Sequence, residues 1–347
     1  MVPNANSCHS IRSKAPLRIG FAGGGTDVSP YLERYGSAVL NATIDRYAHV
    51  SLDLSRQDSI EIVSLDYAVT LRYDIDRVLA FDGQLDLIKG VLNHFRDQYG
   101  LHSGFRMFLS NDAPPGSGLG SSSAMSVACV KALAELLRLP LGPGDIAQLA
   151  WQIERQEVGL AGGKQDQWAA AYGGFNLLEF NEKESVVTPL RIRRDIQNEL
   201  ESSIVLGYAG MTRDSGHVIG QQSANITCST DGTIEALDQM KHYAYAAKDA
   251  LVQGHLREFA EILDAEWQAK KRVATSITNP DIDAMYDTAI SAGAWGGKIS
   301  GAGGGGFMVF ACDPDVRPNV MATLSTHGVQ LIPCGFSDQG AEAWRVR

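Results

Sequence analysis

Apolar and polar positions alternate with a period of two over residues 49–54, 60–65 and 69–73, with polar turns between, which predicts three short strands. A helical spacing occupies 85–99 and stops at Gly100, and 105–109 reads as a further strand. Between 121 and 139, Ala124, Val127, Ala128, Ala132, Leu133, Leu136 and Leu137 recur at the spacing of a strong helix. Helices are also expected at 146–158, with Asp145 in or near the first turn, and at 165–172 after a Gly-rich turn. Beyond these lie a strand at 204–208, a polar loop through Arg213 and His217, and long helices at 234–253 and 256–275. Asn279-Pro280 opens another helix that stops at Gly293, and strands at 307–311 and near 329–333 close the chain. This irregular interleaving predicts an α+β fold.

At 347 residues the chain exceeds what one hydrophobic core usually supports. The charged, weakly patterned stretch 181–200 is where we expect a boundary, between units 1–190 and 191–347. The formal charge is −10 with no long Lys/Arg run, which argues against a nucleic-acid partner but leaves room for a local anion site. Five scattered cysteines, an odd count with no CxxC pair, indicate neither a disulfide framework nor a zinc site and fit a reducing cytoplasm. The first sixteen residues lack an apolar signal core, and no apolar run approaches the roughly 20 residues needed to cross a bilayer, so no membrane association is expected. Nothing in the pattern speaks to oligomeric state.

Glycine is enriched, at 36 residues, and much of the excess falls in three clusters. The most informative is Pro114-Pro115-Gly116-Ser117-Gly118-Leu119-Gly120-Ser121-Ser122-Ser123-Ala124, between an expected strand and the start of the strongest helix. Glycines let the backbone turn and aim successive N–H groups inward, and the helix end adds unpaired donors and partial positive charge. That makes residues 115–123 a candidate phosphate cradle, although the usual GxxxxGK[ST] loop is absent. A bare structural turn is the competing reading.

The string resembles the second motif of the GHMP kinases. Lys14-Ala15-Pro16-Leu17-Arg18-Ile19-Gly20-Phe21-Ala22-Gly23-Gly24-Gly25-Thr26-Asp27 resembles their first motif, and Lys298-Ile299-Ser300-Gly301-Ala302-Gly303-Gly304-Gly305-Gly306-Phe307 their third. Three motifs in order span nearly the whole chain. The resemblance implies an N-terminal domain like ribosomal protein S5, a ferredoxin-like C-terminal domain, and an ATP and Mg²⁺ site in the cleft between them. It also implies roles. Asp166, in Gly162-Gly163-Lys164-Gln165-Asp166-Gln167, would orient the attacking hydroxyl or accept its proton, although a helix cap is its ordinary reading. Arg18 would stabilise developing charge. Glu154, otherwise a solvated helix-face acid, would bind Mg²⁺ with a loop serine, Ser122 in preference to Ser121.

The substrate reading rests on departures from the pattern. Galactokinases carry Gly-Glu-His-x-Asp in the first motif, where this chain has Gly23-Gly24-Gly25-Thr26-Asp27, clearing room for a different sugar while Asp27 can still accept bonds from hydroxyls. This run, residues 36–44 and the 162–167 segment resemble bacterial kinases of D-glycero-D-manno-heptose 7-phosphate, and the kinase part of L-fucokinase shares GGGTD. Expected substrate contacts are Gly24, Gly25, Thr26, Asp27, Gly303 and Gly304. The substrate's own phosphate would meet Arg213, with Lys164, Lys14 and Arg46 behind it. The fold also hosts a diphosphate decarboxylase and a non-catalytic sugar-binding regulator, against which Asp166, Glu154 and the serine loop favour a kinase.

Overall fold

The computed structural model describes residues 9–55, 58–210, 215–228, 230 and 232–346. Twelve described strands form two sheets. The strands are β1 (Ser10–Ala22), β2 (Ser37–Asp53), β3 (Ser59–Ser64), β4 (Val69–Asp74), β5 (Phe105–Asn111), β6 (Phe175–Phe180), β7 (Ser185–Pro189), β8 (Ile204–Tyr208), β9 (Ala294–Ile299), β10 (Phe307–Cys312), β11 (Gln330–Ile332) and β12 (Glu342–Val346). The helices are α1 (Tyr31–Tyr35), α2 (Asp86–Tyr99), α3 (Ser121–Leu137), α4 (Pro143–Gln152), α5 (Gln165–Tyr172), α6 (Arg194–Ser203), α7 (Ser215–Thr227), α8 (Thr233–Gln253), α9 (Leu256–Lys270), α10 (Pro280–Ser291) and α11 (Arg317–Thr326).

The first sheet runs β12-β1-β2-β5-β3-β4, with β6 paired to β2 and β7 to β6; only β3 and β5 pair in parallel. The second runs β11-β8-β10-β9, all antiparallel. With helices between β8 and β9 and α11 between β10 and β11, this is the βαββαβ order of a ferredoxin-like domain. The sheets change over between Pro189 and Ile204, and β12 then crosses back to pair with β1. A division at residue 190 therefore leaves one strand of the first sheet in the second half. The halves also share a core: Ala247 and Leu251 of α8 and Phe259 and Leu263 of α9 join the cluster that holds Leu17 and Ile19 of β1.

Local signals explain several boundaries. Asn279 caps α10 by accepting from the N–H groups of Asp281 and Ile282, with Pro280 at the first helical position. α2 ends at Gly100 in the left-handed conformation. Other elements depart from the expectation. β1 carries Pro16, which argues against a strand, yet the β1–β2 register shifts between Pro16 and Arg18 and so accommodates it. The first half of β2 is buried on both faces, so only its alternating second half showed the period of a strand. The polar stretch after β8 contains α7, and the charged 181–200 stretch contains β7 and part of α6.

Deleting β12 by ending the chain at Gly340 removes five residue pairs from β1 and the Arg345–Glu135 ion pair at 2.7 Å. We expect a lower denaturant midpoint and self-association through the bared β1 edge, read by urea titration and size-exclusion chromatography.

Candidate active site

Arg18 leaves β1 just past the register shift and is 4% exposed. Its Nε donates to Asp166 Oδ1 at 2.8 Å, and its Nη1 to the Gly118 carbonyl at 2.6 Å and more weakly to Ser300 Oγ at 3.5 Å. Ser300 Oγ also accepts from the Gly20 N–H at 3.2 Å. One guanidinium thus joins the three glycine motifs and Asp166. Asp166 lies in the first turn of α5, where the helix end favours a carboxylate, and its side chain keeps 22% exposure toward the cleft.

The glycine loop of residues 116–120 turns through left-handed φ at alternate positions, 72° at Gly116, 74° at Gly118 and 73° at Gly120. Residue types with a side chain rarely adopt these values. The loop delivers the chain into α3, whose first residues Ser121, Ser122 and Ser123 line the cleft with Gly116, Gly118 and Gly120. The third motif packs on this loop backbone to backbone: the Phe307 N–H donates to the Ser117 carbonyl at 2.8 Å, and a Cβ on Gly301 would lie 2.6 Å from Gly118 Cα.

Glu154 does not sit on a regular α-helix. α4 passes into a π-helical turn, Ile153–Glu157, of the kind frequent at functional sites, and Glu154 is 2% exposed within it. Ser123 Oγ donates to Glu154 Oε2 at 2.9 Å, and Gln167 Nε2 to the same oxygen at 2.6 Å. The serine that touches Glu154 is therefore Ser123. Ser122 is exposed and lines the cleft, and Ser121 is 7% exposed beside it.

Other expected residues divide by placement. Gly24, Gly25, Asp27 and Gly303 line the cleft, whereas Pro115, Ser117, Leu119, Thr26, Lys164 and Gly304 are not among its lining residues. The Thr26 hydroxyl is fully buried and bonds the Gly23 carbonyl at 2.8 Å and Ser37 Oγ at 2.9 Å, so it holds the loop instead of facing a sugar. Asp27 is likewise committed: its carboxylate accepts from the N–H groups of Gly25, Lys164 and Gln165 and from Gln165 Nε2. Four donors thus hold the Asp27 carboxylate in place at the wall of the cleft. Ser117 Oγ accepts from the Leu119 N–H, and the Gly304 N–H donates to the Ile277 carbonyl, both within the scaffold.

Lys164 points into an aromatic box, its Nζ 4.6 Å from the centre of the Trp151 ring and 5.8 Å from that of Trp168. Burial there pushes its pKa down. Lys14 pairs with Glu342 and Arg46 bonds the Pro333 carbonyl, so neither reaches the cleft; Arg213 lies outside the described residues. Among the described residues no group of three His, Cys, Asp or Glu is placed to hold a metal.

The structure also brings in residues that the pattern did not single out. Arg155 fastens the loop before α5, donating to the carbonyls of Leu160, Ala161 and Gly163 while pairing with Glu154 at 3.3 Å. Glu266 and Lys270 share a buried face of α9, and Lys298 of β9 pairs with Glu266 at 3.3 Å. Their i,i+4 spacing was visible, but it reads as an ordinary exposed helix pair.

This cleft, about 370 Å³, lies between a glycine-loop helix terminus and a glycine-rich hairpin, an arrangement of backbone N–H groups suited to phosphate. The family model for the GHMP kinases N terminal domain matches residues 86–174, and that for the GHMP kinases C terminal matches 247–330. The chain belongs to the GHMP kinases and is an ATP-dependent small-molecule kinase. It is 38% identical over 339 residues to D-glycero-alpha-D-manno-heptose 7-phosphate kinase of Campylobacter jejuni, covering 97% of this chain and 99% of that one. A solved structure titled a D-glycero-D-manno-heptose 1-phosphate kinase from Bacteroides thetaiotaomicron superposes with a TM-score of 0.83 at 40% identity, over 97% of this chain and 99% of that one. L-fucokinase/L-fucose-1-P guanylyltransferase of Bacteroides fragilis is 25% identical over 96% of this chain but 38% of its own length.

The two cleft glycines of the first motif separate in kind. Gly25 has φ +115°, and a Cβ there would lie 3.3 Å from both terminal atoms of Gln222; Gly24 has no such constraint, and its Cβ would meet Gln165 Nε2 at 3.3 Å and Lys270 Nζ at 3.9 Å. Gly25→Ala is expected to lower stability by about 1 kcal/mol or more. Gly24→Ala should leave the melting temperature nearly unchanged and raise the KM of the sugar substrate. Thermal melts beside steady-state kinetics separate the two.

Proposed function

We propose that this kinase transfers the γ-phosphoryl group of ATP to the anomeric hydroxyl of D-glycero-D-manno-heptose 7-phosphate, giving the 1,7-bisphosphate for nucleotide-activated heptose and surface polysaccharide. The observation that carries this reading is near full-length identity of 38% to the Campylobacter jejuni heptose 7-phosphate kinase, joined to a glycine pair where galactokinases carry Glu-His. The Bacteroides thetaiotaomicron neighbour is named a heptose 1-phosphate kinase, so the test compares both phosphates.

The residues divide the work as phosphoryl transfer requires, mostly by positioning and charge stabilisation. N–H groups of the 116–120 loop and of the α3 terminus cradle the nucleotide phosphates. Asp166 accepts the hydroxyl proton or orients the hydroxyl, while Arg18 holds its carboxylate and adds positive charge beside the transferring group. The donor set suits Mg²⁺, which keeps several waters and takes one or two carboxylates plus phosphate oxygens. The Glu154 carboxylate and the cleft-facing Ser122 hydroxyl would hold it, with Ser123 and Gln167 fixing the carboxylate, and the ion would neutralise phosphate charge.

ADP release measured with heptose 7-phosphate, heptose 1-phosphate, mannose-type sugars and L-fucose tests the acceptor. Turnover of heptose 7-phosphate at least tenfold above the others is expected; a preference for fucose or for the 1-phosphate overturns the reading. Asp166→Ala should lower kcat by roughly 10²-fold or more while ATP still binds. Glu154→Gln should raise the Mg²⁺ concentration needed for half-maximal rate more than the sugar KM, read by metal titration.

A further inference from the structure

One buried amine that lines the cleft has no part in the chemistry described so far. Lys270 closes α9, is 4% exposed and lines the cleft. Its Nζ donates to the Gly24 carbonyl at 3.2 Å and the Gly301 carbonyl at 2.9 Å, which belong to the first and third glycine segments. These bonds take two of an ammonium's three donors. The nearby carboxylates are engaged elsewhere. Glu266, one turn earlier, accepts from the Gly23 N–H through Oε1 at 3.2 Å, its Oε2 lies 3.3 Å from Lys298 Nζ without a hydrogen bond, and Asp27 is filled by four N–H donors. The remaining charges facing Lys270 are the cations Lys298 of β9 and Arg18 of β1.

A buried cation without a contacting carboxylate is strongly unfavourable unless something offsets it. Burial is the largest cause lowering the Lys270 pKa to about 7, and Lys298 and Arg18 add to it, against Glu266 and Asp27. A neutral donor would serve the two carbonyls equally well, so the loop ties do not call for an ionisable group here, and the third N–H is left over at a cleft wall where an anion would hold the ammonium charged.

We propose that Lys270 is an anion-binding residue of this cleft: its ammonium ties the glycine segments of the two halves and gives its remaining N–H to a phosphoryl oxygen of the acceptor sugar phosphate or of ATP. The inference rests on the kinase reading above. The working form is the ammonium, present below the folded-state pKa and lost as pH rises through about 7. Because kcat/KM reports groups of the free enzyme, it falls on the alkaline side and gains no acidic limb from Lys270.

Initial rates are measured across neutral and alkaline pH for the wild type, Lys270→Arg and Lys270→Gln, varying ATP, heptose 7-phosphate and unphosphorylated heptose separately. The wild type should show an alkaline limb that Lys270→Arg removes, because a guanidinium stays charged. Lys270→Gln should lose about 10- to 100-fold in kcat/KM. A loss seen with heptose 7-phosphate but not with free heptose assigns the acceptor's phosphate as the partner; an equal loss with both, with a raised KM for ATP, assigns the nucleotide. Should the variants fail to fold, the wild-type profile decides. A flat profile through pH 7 and above in active wild type, or Lys270→Gln within about twofold of wild type, overturns the Lys270 assignment alone. Absence of acceptor-dependent ADP release in the wild type overturns the acceptor reading and this inference with it.

Discussion

The Arg18 guanidinium donates to Gly118, Asp166 and Ser300, positions 100, 148 and 282 residues away along the chain. No local element could bring those groups together. The register shift between Pro16 and Arg18 resets the β1–β2 pairing so that Arg18 stands opposite Thr43, and burial makes its bonds worth more than they would be in water. The glycine loop of residues 116–120, the Asp166 carboxylate and the third glycine segment are each placed relative to this one side chain.

Backbone contact supplies the rest of the rigidity. Gly301 and Gly306 lie so close to the Gly118 and Ser117 backbone that an added Cβ on either would fall 2.6 Å from it. The second half of the chain therefore closes the glycine loop made by the first, and the shared core of α8, α9 and β1 holds the halves together beneath. Charged groups inside this junction are nearly all paired: Asp27 by four N–H donors, Glu154 by Ser123, Gln167 and Arg155, Glu266 by Lys298. Such paired networks fix geometry, which phosphoryl transfer needs more than it needs reactive side chains.

What could be read from the sequence followed from how local each signal was. The Asn279-Pro280 start of α10 and the Gly100 stop of α2 are backbone chemistry confined to a few residues, and both appeared where the pattern put them. The glycine motifs were visible because close backbone approach leaves only glycine. β1 and the first half of β2 were hidden by Pro16 and by burial on two faces, which erases alternation. The charged face of α9 was hidden for the converse reason, since spacing cannot tell a buried Glu266–Lys270 pair from a solvated one. Thr26 and Lys164 have the right chemistry for a sugar site, but hydrogen bonds and an aromatic box set by distant residues hold them away from the cleft.

Whether Arg18 and Asp166 act as one unit at the transferring group is tested most directly by a double-mutant cycle on kcat/KM. The variants are Arg18→Gln, Asp166→Asn and both together, each checked for an unchanged far-ultraviolet spectrum. If the pair works jointly, the double variant is scarcely slower than the worse single one, and the coupling is on the order of 1–3 kcal/mol. Losses that simply multiply, with coupling below about 0.5 kcal/mol, would contradict the joint role and leave Arg18 as a fastener of loops.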